Sequence, residues 1–352
     1  MRIALATDAW TPQVNGVVRT LTTTVGHLRG RGHVVELLTP QQFRTCALPG
    51  YGEIRLAVAP RFGTRRTLRD FAPDIVHIAT EGPIGWAARS WCKANGVPFT
   101  SAFHTRFPDY AAMRTGLSPD VFWPVMRRFH AQSAAVLVST HSLARELAGH
   151  GIHQTQLWSR GIDAGLFHPG HQPLPELAAL PGPVLLYVGR VAVEKNLGAF
   201  LDCPAAGSKV VVGDGPDLAM LRARYPQAHF TGALSGEALA QAYCAADCFV
   251  FPSRTDTFGL VMIEAMACGL PVAAFPVAGP LDVVGPKGLG AQGQLARPVG
   301  AVSEDLDSAI AQALDCRHED AAAYGASYSW EAATDQFESA LAAAAEQIAQ
   351  AA

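Results

Sequence analysis

The chain is short of charge, of long apolar runs and of paired cysteines, and each shortage closes off a class of function. Of its 352 residues 16% are charged and 49% are hydrophobic, the balance of a well-buried globular protein rather than a disordered one. No apolar stretch approaches the roughly 20 residues that span a bilayer. The opening Met1-Arg-Ile-Ala-Leu-Ala-Thr-Asp turns polar too soon for a secretory leader. Seven cysteines, an odd and scattered set, read as free thiols of a reducing cytoplasm. Cys244 and Cys248 have helical spacing, but no His or Cys pair nearby completes a zinc site. No basic run is interleaved with aromatics, which argues against nucleic-acid binding. No G-x-G-x-x-G follows the first strand, which argues against a dinucleotide fold.

What is present is an asymmetry of charge. Residues 1–165 hold 18 Lys+Arg and 10 Asp+Glu, a balance of +8; residues 166–352 hold 9 and 20, or −11; the two sum to the −3 of the whole chain. A basic half suggests that one domain faces something anionic. Length alone predicts two domains of ordinary size.

The first half reads as β–loop–α–β. Arg2 to Thr7 is a buried strand, Val17 to Arg29 a helix, Val34 to Leu38 the next strand, and this order predicts a parallel sheet with ligands at the carboxyl ends of its strands. Gly16, after the first strand, could bring backbone to a diphosphate. Further strands are expected over 54–59, 75–78, 99–103 and 135–140. His104 sits at the carboxyl end of one of them, where a histidine can touch a sugar, and Thr105, Arg106 and Asp109 share its loop. A second sheet opens at Val184 to Val188. Arg190 and Lys195 follow it, two cations that can hold a diphosphate leaving group without a metal. Asp305-Leu-Asp307 has the form of a D-x-D metal motif but lies in an amphipathic stretch, and it reads as helix surface.

The organising stretch is PSRTDTFGLVMIEAMACGLPV, Pro252 to Val272. Phe249 to Phe251 ends a buried strand. Thr255, Asp256 and Thr257 are helix-capping types, and Gly259 permits close backbone approach to a ligand. A helix from there to about Cys268, closed by Gly269, would aim its N-terminus at an anion. Asp256 and Glu264 stand eight positions apart, able to reach opposite ends of one extended ligand.

At these residues the chain resembles the family-4 retaining glycosyltransferases. Asp256-x7-Glu264 is similar to that family's E-x7-E signature, with Asp in place of the first Glu. The fragments TDAWTPQVNGVVRT, SAFHTRFPDY and YVGRVAVEKN resemble it in the same order, over nearly the whole chain. The nearest resemblance is to sulfoquinovosyl- and glycosyl-diacylglycerol synthases and GDP-mannose-dependent α-mannosyltransferases. It implies the α/β GT-B fold, two doubly wound parallel-sheet Rossmann-like domains facing a cleft. The expected division is 1–168 for the acceptor-side domain, 169–183 for a proline-rich linker, 184–329 for the donor domain, and 330–352 for a helix crossing back.

The resemblance also implies roles. The donor is a nucleotide sugar, of UDP-glucose, UDP-glucuronate or GDP-mannose type, and no cofactor or metal is expected. Gly16, Arg190, Lys195, Asp256, Thr257, Phe258, Gly259 and Glu264 would bind it, with Glu264 on the ribose hydroxyls. His104, Arg190, Lys195 and Asp256 would surround the reacting sugar and its leaving diphosphate. The acceptor would attack on the face the diphosphate leaves, a phosphate oxygen taking its proton. Arg160, Gly161 and Asp163 resemble the turn that leaves the first domain. The acceptor expected is a membrane lipid such as diacylglycerol. Arg65, Arg66 and Arg69, with Leu68 and Phe71 close by, form the expected contact with an anionic membrane, the enzyme being peripheral to its cytoplasmic face. A solvated helix face is the plainer reading of that segment. Two other readings of the whole are a GT-B epimerase or hydrolase acting on a sugar nucleotide, and a sugar-binding module without turnover.

Overall fold

The computed structural model of the protein describes residues 1–13, 15–48, 51–256 and 258–349. The chain divides into two compact units. One is Met1–Arg160 together with the chain from Trp330; the other is Gly161–Ser329.

The first unit holds strands β1 (Arg2–Ala6), β2 (Val34–Leu38), β3 (Thr45–Leu48), β4 (Tyr51–Ala57), β5 (Ile75–Ile78), β6 (Phe99–Ala102), β7 (Val136–Val138) and β8 (Thr155–Leu157). Six of them form a parallel sheet in the order β2-β1-β5-β6-β7-β8. The strand expected over 54–59 exists, but β4 pairs antiparallel with β3 in a hairpin outside the parallel sheet. The second unit holds β9 (Val184–Val188), β10 (Ser208–Val212), β11 (His229–Gly232), β12 (Cys248–Phe251), β13 (Val272–Ala274) and β14 (Gly300–Val302), a parallel sheet in the order β11-β10-β9-β12-β13-β14. Helices on both faces explain why central strands such as β9 and β12 are buried at every position and read as continuous apolar runs.

The flanking helices follow local rules. Helix Gly16–Gly30 begins at Asn15, whose side chain accepts the Val18 amide at 3.0 Å, and it buries Val18, Leu21, Val25 and Leu28 at three- and four-residue spacing. Helix Pro83–Asn95, not anticipated from the sequence, starts with Gly82 as its cap and Pro83 in its first turn. Its amides at Ile84 and Gly85 donate to the Asp8 carboxylate at the end of β1, at 3.0 and 3.4 Å. Burial pushes the Asp8 carboxyl up to about 6 against those hydrogen bonds.

The unit boundary falls at Arg160–Gly161 rather than at residue 168. The proline-rich 169–183 stretch is packed rather than a loose linker: the Leu174 amide donates to the Gln241 carbonyl at 3.1 Å, and Leu177 joins the second unit's core. Helix Trp330–Ala349 belongs to the first unit. Phe337 lies 4.6 Å from the Trp158 ring and 4.8 Å from His77, while Arg31 pairs with Asp335 and Glu338 at 2.7 and 2.9 Å.

His77 is fully buried in β5, its Nδ1 at 2.9 Å from the Thr100 hydroxyl. Burial holds the ring neutral and pushes its pKa down to about 3. In the unfolded chain the ring protonates near 6.5. Its support for the fold is therefore complete above about pH 6.5 and is lost as pH falls from there toward 3, at roughly 1.4 kcal/mol per pH unit. Buried His104 contributes in the same direction. Stability, measured by unfolding between pH 7 and 5, is expected to fall steeply for the wild type and less steeply for His77→Gln. Parallel slopes would remove His77 as a cause.

Candidate active site

In an open parallel sheet, ligands bind beyond the carboxyl ends of the strands where the order reverses. In the second unit that point lies between β9 and β12. The segments leaving these strands carry Arg190 and Lys195 on one side, and Asp256, Phe258 and Gly259 on the other.

The two segments are laced together by side chains. Lys195 Nζ donates to Asp256 Oδ1 at 2.6 Å, Asn196 Nδ2 donates to the Pro252 carbonyl at 3.1 Å, and the Thr255 hydroxyl donates to the Glu194 carbonyl at 3.4 Å. Below them the Tyr187 hydroxyl donates to the Arg190 carbonyl at 2.8 Å, which fixes where the half-buried Arg190 leaves the backbone. Burial holds the Tyr187 phenol well above its ordinary range, and the charges of Asp256 and Glu194 add to this. The side chains of Lys195 and Asp256 are each 19% exposed, so the pair is largely desolvated and its attraction stronger than in water. Asp256 Oδ2 is buried and has no hydrogen-bond partner among the described residues. A buried carboxylate oxygen left so is a site for a ligand donor.

The capping residues do not act as expected. The helix begins at Leu260, not at 255–257, and its cap is Gly259 at φ 86°, with no side-chain cap bond. A Cβ on Gly259 would fall 2.9 Å from the flexible Met262 Cε and 3.0 Å from the Phe251 ring; the left-handed backbone is what calls for glycine. Asp256 is committed to Lys195 instead of to the helix. Phe258 is buried and packs on the Tyr328 ring at 6.1 Å; it anchors the segment, and only its backbone could face a ligand. Thr257 lies outside the described residues. The helix ends at Cys268 and Gly269, as its sequence indicates.

Glu264 is buried on that helix among Met262, Ile263, Ala265 and Met266. Its Oε2 accepts the Tyr243 hydroxyl at 3.3 Å. A carboxylate in such surroundings is costly without partners, and nothing in the sequence singled out Tyr243, which comes from the neighbouring helix Gly236–Cys244. The Gly213-Asp-Gly-Pro turn after β10 also closes on this edge: a Cβ on Gly213 would lie 1.8 Å from the Gly189 carbonyl oxygen. Asp305 caps helix Leu306–Leu314 by accepting the Asp307 amide at 3.2 Å.

In the first unit Gly16 is the exposed first residue of helix Gly16–Gly30. His104 follows β6 and is 9% exposed. Its Nδ1 lies 3.0 Å from a guanidinium nitrogen of Arg160. A guanidinium only donates, so Nδ1 accepts and the ring proton sits on Nε2. Burial, with the Arg160 charge and His77 adding, holds His104 neutral, well below the usual histidine range. Arg160 is buried too. It donates to the carbonyls of Trp158 and Ser159 at 2.6 and 3.0 Å and stacks over the Trp158 indole, and burial lowers its pKa to about 9. The residue that resembled an exit turn thus fixes the tautomer of His104. Arg106 pairs with Asp109 at 2.9 Å and with Glu146.

Arg65, Arg66 and Arg69 are exposed on helix Arg61–Phe71, but the apolar side expected beside them is not. Leu68 is 0% exposed in the core, and Phe71 is half-buried beneath the Arg2 guanidinium at 4.5 Å. Asp70 partly neutralises Arg66 and Arg69, at 3.7 and 2.9 Å.

Comparison with known proteins identifies the family. Residues 14–166 match the model of Glycosyltransferase Family 4, and residues 182–316 that of Glycosyl transferases group 1. The chain is 31% identical to the GDP-mannose-dependent alpha-mannosyltransferase of Mycobacterium tuberculosis, over 88% of this chain and 87% of that one. It is 28% identical to the alpha-monoglucosyldiacylglycerol synthase of Streptococcus pneumoniae, over 78% of this chain and 71% of that one. Among solved structures, sucrose-phosphate synthase from Thermosynechococcus elongatus shares the fold, with a TM-score of 0.72 over 96% of this chain and 97% of that one at 22% identity. With its two six-stranded doubly wound sheets and these matches along its length, the chain belongs to the family-4 glycosyltransferases of GT-B fold.

Proposed function

We propose that the enzyme transfers a hexose, with retention of anomeric configuration, from a nucleoside-diphosphate sugar to a hydroxyl of a membrane lipid. The observation that carries the donor half is the Lys195–Asp256 pair beside Arg190 at the point where the second sheet reverses. A bound diphosphate competes with Asp256 for Lys195, and Arg190 adds the second cation. Glu264 takes the ribose hydroxyls. Asp256 Oδ2 accepts from the transferred sugar. The sugar–phosphate C–O bond breaks while the acceptor oxygen bonds to the anomeric carbon on the same face. The acceptor proton passes to an oxygen of the departing diphosphate, whose growing charge the two cations stabilise in place of a metal. GDP-mannose is the first donor and diacylglycerol the first acceptor to test. The names of the two relatives and the +8 balance of residues 1–165 support these choices.

A melting panel of GDP-mannose, UDP-glucose, UDP-glucuronate and UDP-galactose tests the donor. GDP-mannose is expected to raise the melting temperature most, by mass action, and a flat response to all four would contradict the assignment. Lys195→Ala and Arg190→Ala are each expected to lower turnover by about 10²–10³, with wild-type activity persisting in EDTA. A strict requirement for Mg²⁺ or Mn²⁺ would overturn the two-cation mechanism. Glu264→Gln is expected to raise the Michaelis constant for donor through a weakened acceptor for ribose. Unchanged kinetics would take Glu264 out of the site.

A further inference from the structure

Met1, Val34, Val58 and Phe62 are exposed singly along the first unit, but four further exposed large apolar side chains fall close together. Phe107, Leu117, Val121 and Val125, between 45% and 56% exposed, fall within one segment that follows His104. Isolated exposed apolar residues are ordinary, but a contiguous group of them marks a contact surface. Helix Phe107–Thr115, the 3₁₀ turn Pro119–Val121 and helix Trp123–His130 carry the group. The Phe107 ring meets Phe122 edge-on at 6.3 Å, which joins the first element to the other two. Helix Trp123–His130 already turns Trp123, Met126 and Phe129 to the core, so Val125 is not a stray core residue. The chain is helical from Pro119 to His130 through Phe122. Val121, Val125 and Arg128 therefore recur at four and three residues along one face. Arg127 and Arg128 are exposed there, and among the described residues neither has an acidic partner.

An apolar stripe flanked by unneutralised arginines fits one kind of partner, an anionic bilayer. The apolar side chains enter the headgroup boundary while the guanidinium groups stay at the phosphates. Self-association about a two-fold axis through this face would set Arg127 and Arg128 against their own copies. We propose that the surface formed by Phe107, Leu117, Val121, Val125, Arg127 and Arg128 is the membrane-docking face. It deepens the lipid-acceptor reading and rests on it. It also moves the docking face away from helix Arg61–Phe71, which keeps only Phe62 as an exposed apolar residue. The face directly follows β6 and His104, at the carboxyl end of the first sheet, where a lipid headgroup would be presented.

The test uses the full chain with vesicles of phosphatidylcholine and phosphatidylglycerol in equal parts, and with vesicles of phosphatidylcholine alone. Leu117→Ser with Val121→Ser and Val125→Ser is expected to lower partitioning onto the anionic vesicles about tenfold or more. Arg127→Ser with Arg128→Ser should abolish the preference for anionic over neutral vesicles. An unchanged melting curve shows that each variant folds. A second readout needs no loss of binding. With exposed Cys46 replaced by Ser, an environment-sensitive fluorophore on Leu117→Cys is expected to shift to the blue when vesicles are added, and one on Phe62→Cys is not. Wild-type partitioning by the triple variant, or a blue shift at position 62 and none at 117, would overturn the assignment. Transfer to detergent-dispersed diacylglycerol, measured separately, tests the acceptor reading: its absence alongside the blue shift at 117 would count against the acceptor and not against the face.

Discussion

The ion pair between Lys195 and Asp256 is the contact that holds together the two segments at the switch point of the second sheet. Strand order brings the segments after β9 and β12 side by side, but order alone leaves two loops free to part. The pair closes them at 2.6 Å, with bonds from Asn196 and Thr255 on either side. Because both side chains are mostly desolvated, the attraction is strong in place, yet two charges taken out of water gain little over the hydrated state. In the proposed reaction an arriving diphosphate takes the place of Asp256 on the lysine. Asp at position 256, where the family signature has Glu, is a methylene shorter, and here it meets the lysine.

The first unit solves a different problem, that of holding histidines neutral. His77 and His104 lie in the buried end of the sheet, flanked by Trp158 and, for His77, by Phe337 from the helix Trp330–Ala349. Desolvation removes the charge from both rings. For His104 the guanidinium of Arg160 then decides which nitrogen keeps the proton. A charged neighbour here sets a tautomer rather than forming an ion pair, and the return of the last helix supplies the aromatic cover that makes this possible.

Much of this was legible in the sequence. Continuous apolar runs gave the central strands to within a residue or two, since strands covered on both faces have no alternation to misread. The motifs put Arg190 and Lys195 just beyond one strand, and Asp256 and Glu264 on the loop and helix beyond another, which is where these residues lie. What the sequence could not show were pairings set by tertiary contact. Tyr243 reaches Glu264 from another helix, Arg160 reaches His104 across 56 positions, and Asp8 caps a helix that begins at Pro83. Local propensity misled in two places. Three capping types at 255–257 suggested a helix start, but Asp256 found a stronger partner in Lys195. Leu68 and Phe71 looked available beside the arginines, but the helix phase turns Leu68 inward. A group of exposed apolar side chains lies instead at 107–125, in a segment with no run of charge.

Amide hydrogen exchange with and without GDP-mannose tests the central claim most directly, because it reads the two laced segments without assuming any catalytic role. Slower exchange on donor addition is expected in peptides covering residues 189–196 and 252–264. Unchanged exchange there, at donor concentrations that raise the melting temperature, would contradict it and place the donor elsewhere.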